Sequence, residues 1–304
     1  MKIKTKDLLT LAELSSKEFL GLIDYSIKLK KEFKKKGNKP ILKNKTLSMI
    51  FQKPSTRTRV SFEAGMYQLG GHAINLSSSD TQLSRGESIE DTAKTLSRYT
   101  DCIMARVYDH GLLEKLSQYA SVPVINGLSD SFHPCQILAD FMTIKEHKGK
   151  LKGLKIAWIG DGNNVCNSMI YGASLSGITM SIATPKKFEP NKTVVDESSN
   201  LTTIELTTDP LIAIKNADVV VTDTYSSIHN NDPKRIKKFL PKYQVNSKLL
   251  CNAKKNAIFM HCLPAKREQE VTSSVIDGPQ SVVWDEAENR LHTQKALLAA
   301  LIYA

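Results

Sequence analysis

The residues best suited to chemistry in this chain lie in Lys53-Pro54-Ser55-Thr56-Arg57-Thr58-Arg59, where two guanidiniums stand among a run of hydroxyls. Leu47 to Phe51, just ahead, reads as a short buried strand. Val60 to Leu69, just after, reads as a helix with Phe62, Met66 and Leu69 on one face. Pro54 suits a helix entry, because the first turn needs no donor there. The spacing thus predicts Ser55, Thr56, Arg57 and Thr58 at a helix N-terminus, where free N–H groups and the positive dipole end face outward. Such a site fits a phosphate-bearing anion, and Arg adds a bidentate grip that Lys lacks. A solvated basic cap with a Ser/Thr turn is the alternative on spacing alone.

Ligands in open α/β sheets bind beyond the C-terminal ends of strands. Four segments put reactive residues at such ends: Ser55 to Arg59, Arg106, Asp223 to Ser227, and His261-Cys262-Leu263-Pro264. His133 and Gln136 add polar groups at a helix start. Taken singly, each has an ordinary reading: Arg106 as a surface ion pair, His133 as a helix cap, Cys262 as a small buried hydrophobe. The Gly160-Asp161-Gly162 turn lacks the third glycine of a dinucleotide fingerprint, since Val165 holds that position, so no nicotinamide cofactor is expected. No cluster has metal-ligand spacing, and no metal is expected.

Elements that must position these residues follow from the pattern. Ser15-Ser16-Lys17-Glu18 has capping-box form, and Phe19, Leu20, Leu22, Ile23, Ile27 and Leu29 continue at helical spacing until Gly37. Strands are predicted at Ala73 to Leu76, Cys102 to Ala105 and Val122 to Ile125, with helices at Ser88 to Tyr99, Leu112 to Tyr119 and Ile137 to His147. Ser77 to Glu87 is a polar loop of a length that is often functional. After a hinge at Lys148 to Gly153, a second series begins with a strand at Lys155 to Ile159 and a helix reaching about Leu175. Further strands are predicted near Met180 to Ala183, Thr203 to Leu206, Val219 to Thr222, Ala257 to Met260 and Val282 to Trp284. Helices are predicted near Leu211 to Asn216, Pro233 to Phe239, Ser247 to Lys255 and Glu286 to Tyr303. Alternation of this kind argues for parallel sheets covered on both faces, in two α/β halves with a cleft between them. The halves are bounded as 1–147 and 148–285, followed by the final helix in 286–304.

Composition narrows the class. A chain of 304 residues, 41% hydrophobic, can build a sizeable core in two domains. No apolar run is long enough to cross a bilayer, and Met1-Lys2-Ile3-Lys4 opens no signal region, so neither a membrane nor a secretory route is expected. Five scattered cysteines read as reduced thiols in a cytoplasmic protein. The net charge of +11 collects in Lys28 to Lys39 and Lys234 to Lys242. Both runs adjoin amphipathic helices and few aromatics, so solvated faces are expected rather than nucleic-acid binding.

Ser55-Thr56-Arg57-Thr58-Arg59, Arg106, His133-Pro134-Cys135-Gln136 and His261-Cys262-Leu263-Pro264, in this order and nearly end to end, resemble the carbamoyltransferases of the aspartate and ornithine group. Gly162-Asn163-Asn164, Thr222-Asp223-Thr224 and Glu286-Ala287-Glu288-Asn289-Arg290 point to the ornithine branch. The resemblance implies two α/β domains, the first for carbamoyl phosphate and the second for the amino acid, with the final helix packed back on the first. It also implies a homotrimer or a multiple of trimers with shared active sites, and no cofactor. By the same resemblance, Ser55, Thr56, Arg57 and Thr58 hold the phosphate. Arg106, His133, Gln136 and Arg290 contact the carbamoyl end, and Gln82 reaches into a neighbouring subunit's site. Asn164, Asp223 and Ser227 hold the α-amino and α-carboxylate groups of ornithine, while Cys262 and the Leu263 carbonyl lie beside the attacking amine.

One departure from the family pattern concerns the amine side. Where the ornithine branch carries Ser-Met-Gly, this chain has Ser227-Ile228-His229. Ile is stiffer than Met, and a side chain at 229 restricts a backbone that Gly leaves free. The implied reaction is carbamoyl transfer from carbamoyl phosphate to ornithine, giving citrulline. A carbamoyltransferase for another amine, such as putrescine or N-acetylornithine, is the alternative that this loop leaves open.

Overall fold

The computed structural model describes residues 1–77, 81–225 and 233–303. Ser227, Ile228 and His229 lie outside the described residues. The chain divides into two compact units, Met1–Met142 with Glu288–Ala304, and Thr143–Ala287. Each unit holds one all-parallel sheet with helices in the connections, the two-domain α/β fold that the alternation predicts.

In the first unit, α1 (Ser16–Lys36) starts from Ser15, whose hydroxyl accepts from the Glu18 amide while Glu18 reaches back to Ser15. Two orphan donors are satisfied reciprocally. Gly37, at φ +76°, ends the helix. The sheet comprises β1 (Thr46–Phe51), β2 (His72–Ser77), β3 (Cys102–Arg106) and β4 (Val124–Leu128), in the order β2-β1-β3-β4. β1 and β3 are therefore neighbours whose chain connections leave in opposite directions, which opens a crevice at their C-terminal ends. The helices of this unit are α2 (Thr56–Gln68), α3 (Ile89–Tyr99) and α4 (His110–Tyr119), with the start of α5 (Pro134–Lys148) and most of α12 (Val283–Ile302). Phe62, Met66 and Leu69 are fully buried, as their spacing predicts.

In the second unit, β5 (Lys155–Ile159), β6 (Thr179–Ala183), β7 (Ile204–Thr207), β8 (Val219–Val221) and β9 (Ile258–Met260) run β7-β6-β5-β8-β9. The reversal falls between β5 and β8. α6 (Asn164–Ser176) follows β5, and α8 (Pro210–Ile214) precedes β8. The core gathers Ile159, Val220, Phe259, Tyr225, Phe239 and Tyr243, with Tyr225 stacked on Phe239 at 4.4 Å between centroids.

Three expectations are corrected. Val282–Trp284 is no strand: Ser281 makes an isolated bridge to Phe259, and α12 begins at Val283. Asp285 and Glu286 in its first turn suit the positive end of the helix dipole and outweigh the β-preference of the two valines. The helix expected over Ser247 to Lys255 is a single turn, α10 (Ser247–Leu250). Lys30 does not share the solvated face of its basic run. It is buried, donating to Asn289 Oδ1 at 2.7 Å and paired with Glu288. Two short helices, α7 (Lys192–Ser199) and α11 (Ser273–Ile276), carry little apolar periodicity and escape a reading based on it.

No helix among the described residues is long and apolar enough to cross a membrane.

Candidate active site

At the first crevice, β1 delivers Ser55 to the start of α2. Ser55 is the N-cap residue in extended conformation, yet its hydroxyl makes no capping bond. The first-turn amides of α2 are thus left without a side-chain cap. Thr58 is buried. Arg106 ends β3 directly after a register shift against β4, where Gly127 is the extra residue. A Cβ at Gly127 would meet Met104 Sδ at 2.4 Å, so a side chain here would have to move the buried Met104 thioether. Such a bulge re-aims the side chain beside it, and Arg106 Nη1 points to Thr58 Oγ1 at 3.5 Å.

A buried guanidinium links the parts. Arg290, on α12, donates through Nη1 to Gln136 Oε1 at 2.6 Å, through Nη2 to Thr58 Oγ1 at 3.2 Å, and through Nε to Gln294 Oε1 at 3.0 Å. Gln136 in turn donates to the buried Asp140 at 2.8 Å. Gln294 Nε2 donates to Ser61, whose hydroxyl bonds the Arg57 carbonyl. His133 caps α5 through its carbonyl and is buried beside these cations. Burial pushes its imidazole well below the usual histidine range, and Arg290, Arg106 and Arg57 push it further down. It is therefore a neutral ring that can donate a hydrogen bond without carrying charge. An open cavity of about 540 Å³ adjoins the α2 start, lined by Phe51, Lys53, Ser55, Thr56, Arg59 and Asn75 among others. Gln82 lies exposed on a 3-10 turn (Gln82–Arg85), and among the described residues its side chain makes no hydrogen bond.

At the second crevice, Asp223 follows β8 and Cys262 follows β9. Asp223 Oδ1 accepts from the Thr224 amide at 2.7 Å and from Cys262 Sγ at 3.2 Å; Oδ2 accepts from Asn163 Nδ2 at 2.7 Å. Asn164 is buried at the start of α6. Leu263, at φ +56°, donates its amide to His261 Nδ1 at 2.9 Å. His261 Nε2 faces the buried Glu270 Oε1 at 3.2 Å. Because a backbone amide can only donate, Nδ1 is the acceptor and the proton sits on Nε2.

Folding also brings together what spacing does not. The ligand atoms of Asp223, His261 and Cys262 lie within 4.8 Å of one another. Both His261 nitrogens already have protein partners, and the Cys262 thiol already donates to Asp223. A cation here would have to displace the thiol–carboxylate contact and one of the two His261 contacts, so the donor set fits a hydrogen-bonded cluster better than a metal site.

The Gly160-Asp161-Gly162 turn has its own explanation. A Cβ on Gly162 would meet the backbone of Glu189 and Pro190 at 2.2 to 2.5 Å. The glycine permits close chain approach and no phosphate role is needed. Asp161, beside it, is paired with Arg235, and burial lifts its carboxyl to about 6 against that pull.

Two family profiles cover the chain. Residues 6–146 match the aspartate/ornithine carbamoyltransferase carbamoyl-P binding domain, and residues 152–301 match the Asp/Orn binding domain of the same family. The chain belongs to the aspartate/ornithine carbamoyltransferase family. It is 63% identical over 301 residues to the ornithine carbamoyltransferase of Cenarchaeum symbiosum, covering 99% of both chains. The Bacillus subtilis ornithine carbamoyltransferase is 50% identical, with 98% and 94% covered. Among solved structures, ornithine carbamoyltransferase from Pyrococcus furiosus superposes with a TM-score of 0.93 at 50% identity, covering 97% of this chain and 96% of that one. The Thermus thermophilus enzyme gives 0.91 at 41%, covering 99% and 100%.

In this carbamoyltransferase, three side chains hold candidate residues through contacts that the sequence does not show. Asn163, Asp140 and Gln294 each hold a candidate residue by a hydrogen bond. Gln294 follows Arg290 by one helical turn, and Asp140 follows Gln136 by one turn, so i,i+4 spacing from a candidate residue was the available signal.

Proposed function

We propose that the protein transfers the carbamoyl group of carbamoyl phosphate to the side-chain amine of L-ornithine, giving L-citrulline and phosphate, a step of arginine metabolism. The observation that carries this reading is the buried Arg290 fork, which ties Gln136 and Thr58 into one cationic cluster beside the uncapped start of α2. Full-length identity to ornithine carbamoyltransferases supports the choice of amine.

In this reading Ser55, Thr56, Arg57 and Thr58, with the α2 amides, hold the phosphate. Arg106, neutral His133, Gln136 and Arg290 face the carbonyl oxygen. Asn164, Asp223, Ser227 and Ile228 hold the amino-acid end of ornithine, and Cys262 with the Leu263 carbonyl flanks its side-chain amine. The neutral amine's lone pair forms the N–C bond, and the C–O bond to phosphate breaks with its electron pair leaving on phosphate. The extra amine proton departs to that phosphate or to water. Negative charge grows on the carbonyl oxygen and the leaving group, where preorganised donors are worth about 10² to 10³ in rate each. No covalent intermediate is needed, since positioning supplies much of the rest.

Residues 1–147 with 286–304 serve carbamoyl phosphate, and 148–285 serve ornithine. The assembly is a homotrimer or a multiple of it, with Gln82 completing a neighbour's site. The exposure of Gln82 and of Tyr67 and Val60 on α2 supports that reading. The scattered free thiols fit a reduced, cytoplasmic setting.

Citrulline formation by the purified protein with carbamoyl phosphate, run in parallel with ornithine, putrescine, N-acetylornithine and lysine, tests the function. Turnover of ornithine alone is expected. Turnover of another amine instead would reassign the second pocket, and turnover of none would remove the function.

A further inference from the structure

Asn163 has two separate partners, one for each end of its amide. Its Oδ1 accepts from the Val165 amide at 3.0 Å and the Cys166 amide at 3.1 Å, capping α6. Those amides can only donate, so the oxygen end is identified by chemistry and the NH2 end must face the other way. It faces Asp223, with Nδ2 at 2.7 Å from Oδ2. The opposite oxygen of Asp223 is held by the Thr224 amide and the Cys262 thiol. The carboxylate plane is thus gripped from two sides by three donors.

Capping alone does not explain an asparagine here. Asp and Ser cap helices about as well as Asn, and the helix dipole would favour the acid. Only Asn both caps and donates. An aspartate would bring two carboxylates together, and like charges that close cannot both stay ionised. A serine would keep the cap and fall short of Asp223. From this double contact we infer that Asn163 is a positioning residue for the amine substrate: it uses the rigid first turn of α6 to set the angle of the Asp223 carboxylate. The inference rests on the proposed ornithine reading for what Asp223 binds, and not for the contact itself.

The test compares Asn163→Ser and Asn163→Asp with the unaltered chain. Both keep a cap, so thermal midpoints should stay within a few degrees. The ornithine KM should rise tenfold or more in both, and more in N163D. The carbamoyl-phosphate KM and the affinity for a phosphonate analogue should stay within twofold. Lowering the pH from 8 to 6 should shrink the N163D defect relative to N163S, because the carboxyl pair can then share a proton. A second readout needs no turnover. Cys262 donates to the same carboxylate, which keeps the proton on sulfur, so its alkylation by iodoacetamide, followed by peptide mass in a Cys251→Ser background, should quicken at least threefold in N163S, where that carboxylate is no longer held. Equal rises in both Michaelis constants with a lowered midpoint would reduce Asn163 to a structural cap. An unchanged ornithine KM or unchanged alkylation would overturn the inference outright. If the unaltered chain turns over no amine, the functional reading falls, and the alkylation rates alone decide whether Asn163 sets Asp223.

Discussion

Arg290 and Gln136 stand 154 positions apart in the chain, yet Arg290 Nη1 donates to Gln136 Oε1 at 2.6 Å. The same guanidinium also reaches Thr58 and Gln294. One planar group therefore fixes the relative placement of α2, α5 and α12. Lysine offers one point charge and cannot hold three partners lying in a plane. Arg290→Lys should lower kcat/KM for carbamoyl phosphate by about 10²-fold or more, with the folded midpoint little changed. A fall of less than tenfold in steady-state kinetics would show that the fork is dispensable.

Gln294 bonds the guanidinium at Nε and braces it against Ser61. Gln294→Met keeps the size and removes both bonds. The carbamoyl-phosphate KM should rise several-fold while the ornithine KM stays put. Equal changes in the two would point to general loosening of the unit instead.

His133 should not titrate in the neutral range. Burial comes first and three arginines second in holding its pKa well below 6.5. The sign follows directly. The folded state disfavours the proton while the unfolded chain accepts it below about 6.5, so His133 lowers stability as pH falls through that value. NMR titration of its ring should show no midpoint between pH 6 and 8. A midpoint in that window would contradict the neutral-donor role.

Asp223→Asn should raise the ornithine KM far more than the carbamoyl-phosphate KM, because Asp223 gathers Asn163, Thr224 and Cys262, the residues of the second unit assigned to the amine side. Comparable rises in the two constants would sink its role in amine binding.

Lys295 is wholly buried, donating to Asn38 and Gln68 and lying 4.5 Å over the Phe33 ring. Burial pushes its ammonium down to about 8, against the pull of Glu32 and Glu288. An unfolded chain therefore binds more protons than the folded one between about pH 8 and 10.5, and stability on this account rises with pH across that window, by about 2 kcal/mol. Denaturant midpoints of the unaltered chain relative to Lys295→Met should climb from pH 7.5 to pH 10. A difference that stays flat would show that Lys295 keeps its ordinary pKa.

Local features were readable from short stretches of the chain. The Ser15 capping box, the Gly37 stop, the buried face of Phe62, Met66 and Leu69, and most strands were legible because they depend on neighbours a few positions away. The parallel α/β class followed from alternation, and the candidate residues stood at strand ends because the sheet topology puts ligand crevices there. Other features were decided only by the tertiary structure. Val283 and Trp284 look strand-like in isolation, and the helix start there is tied to the fold by the buried Glu286, which accepts from the His261 amide at 3.0 Å. Lys30 looks solvated in its basic run, and Glu288 with Asn289 buries it. Asn163 carries no role in the sequence until Asp223, 60 positions on, is seen to take one end of its amide. A hydrogen bond between distant residues leaves no local periodicity behind, so the partners of Arg290, Asp223 and Asn163 had to come from the fold.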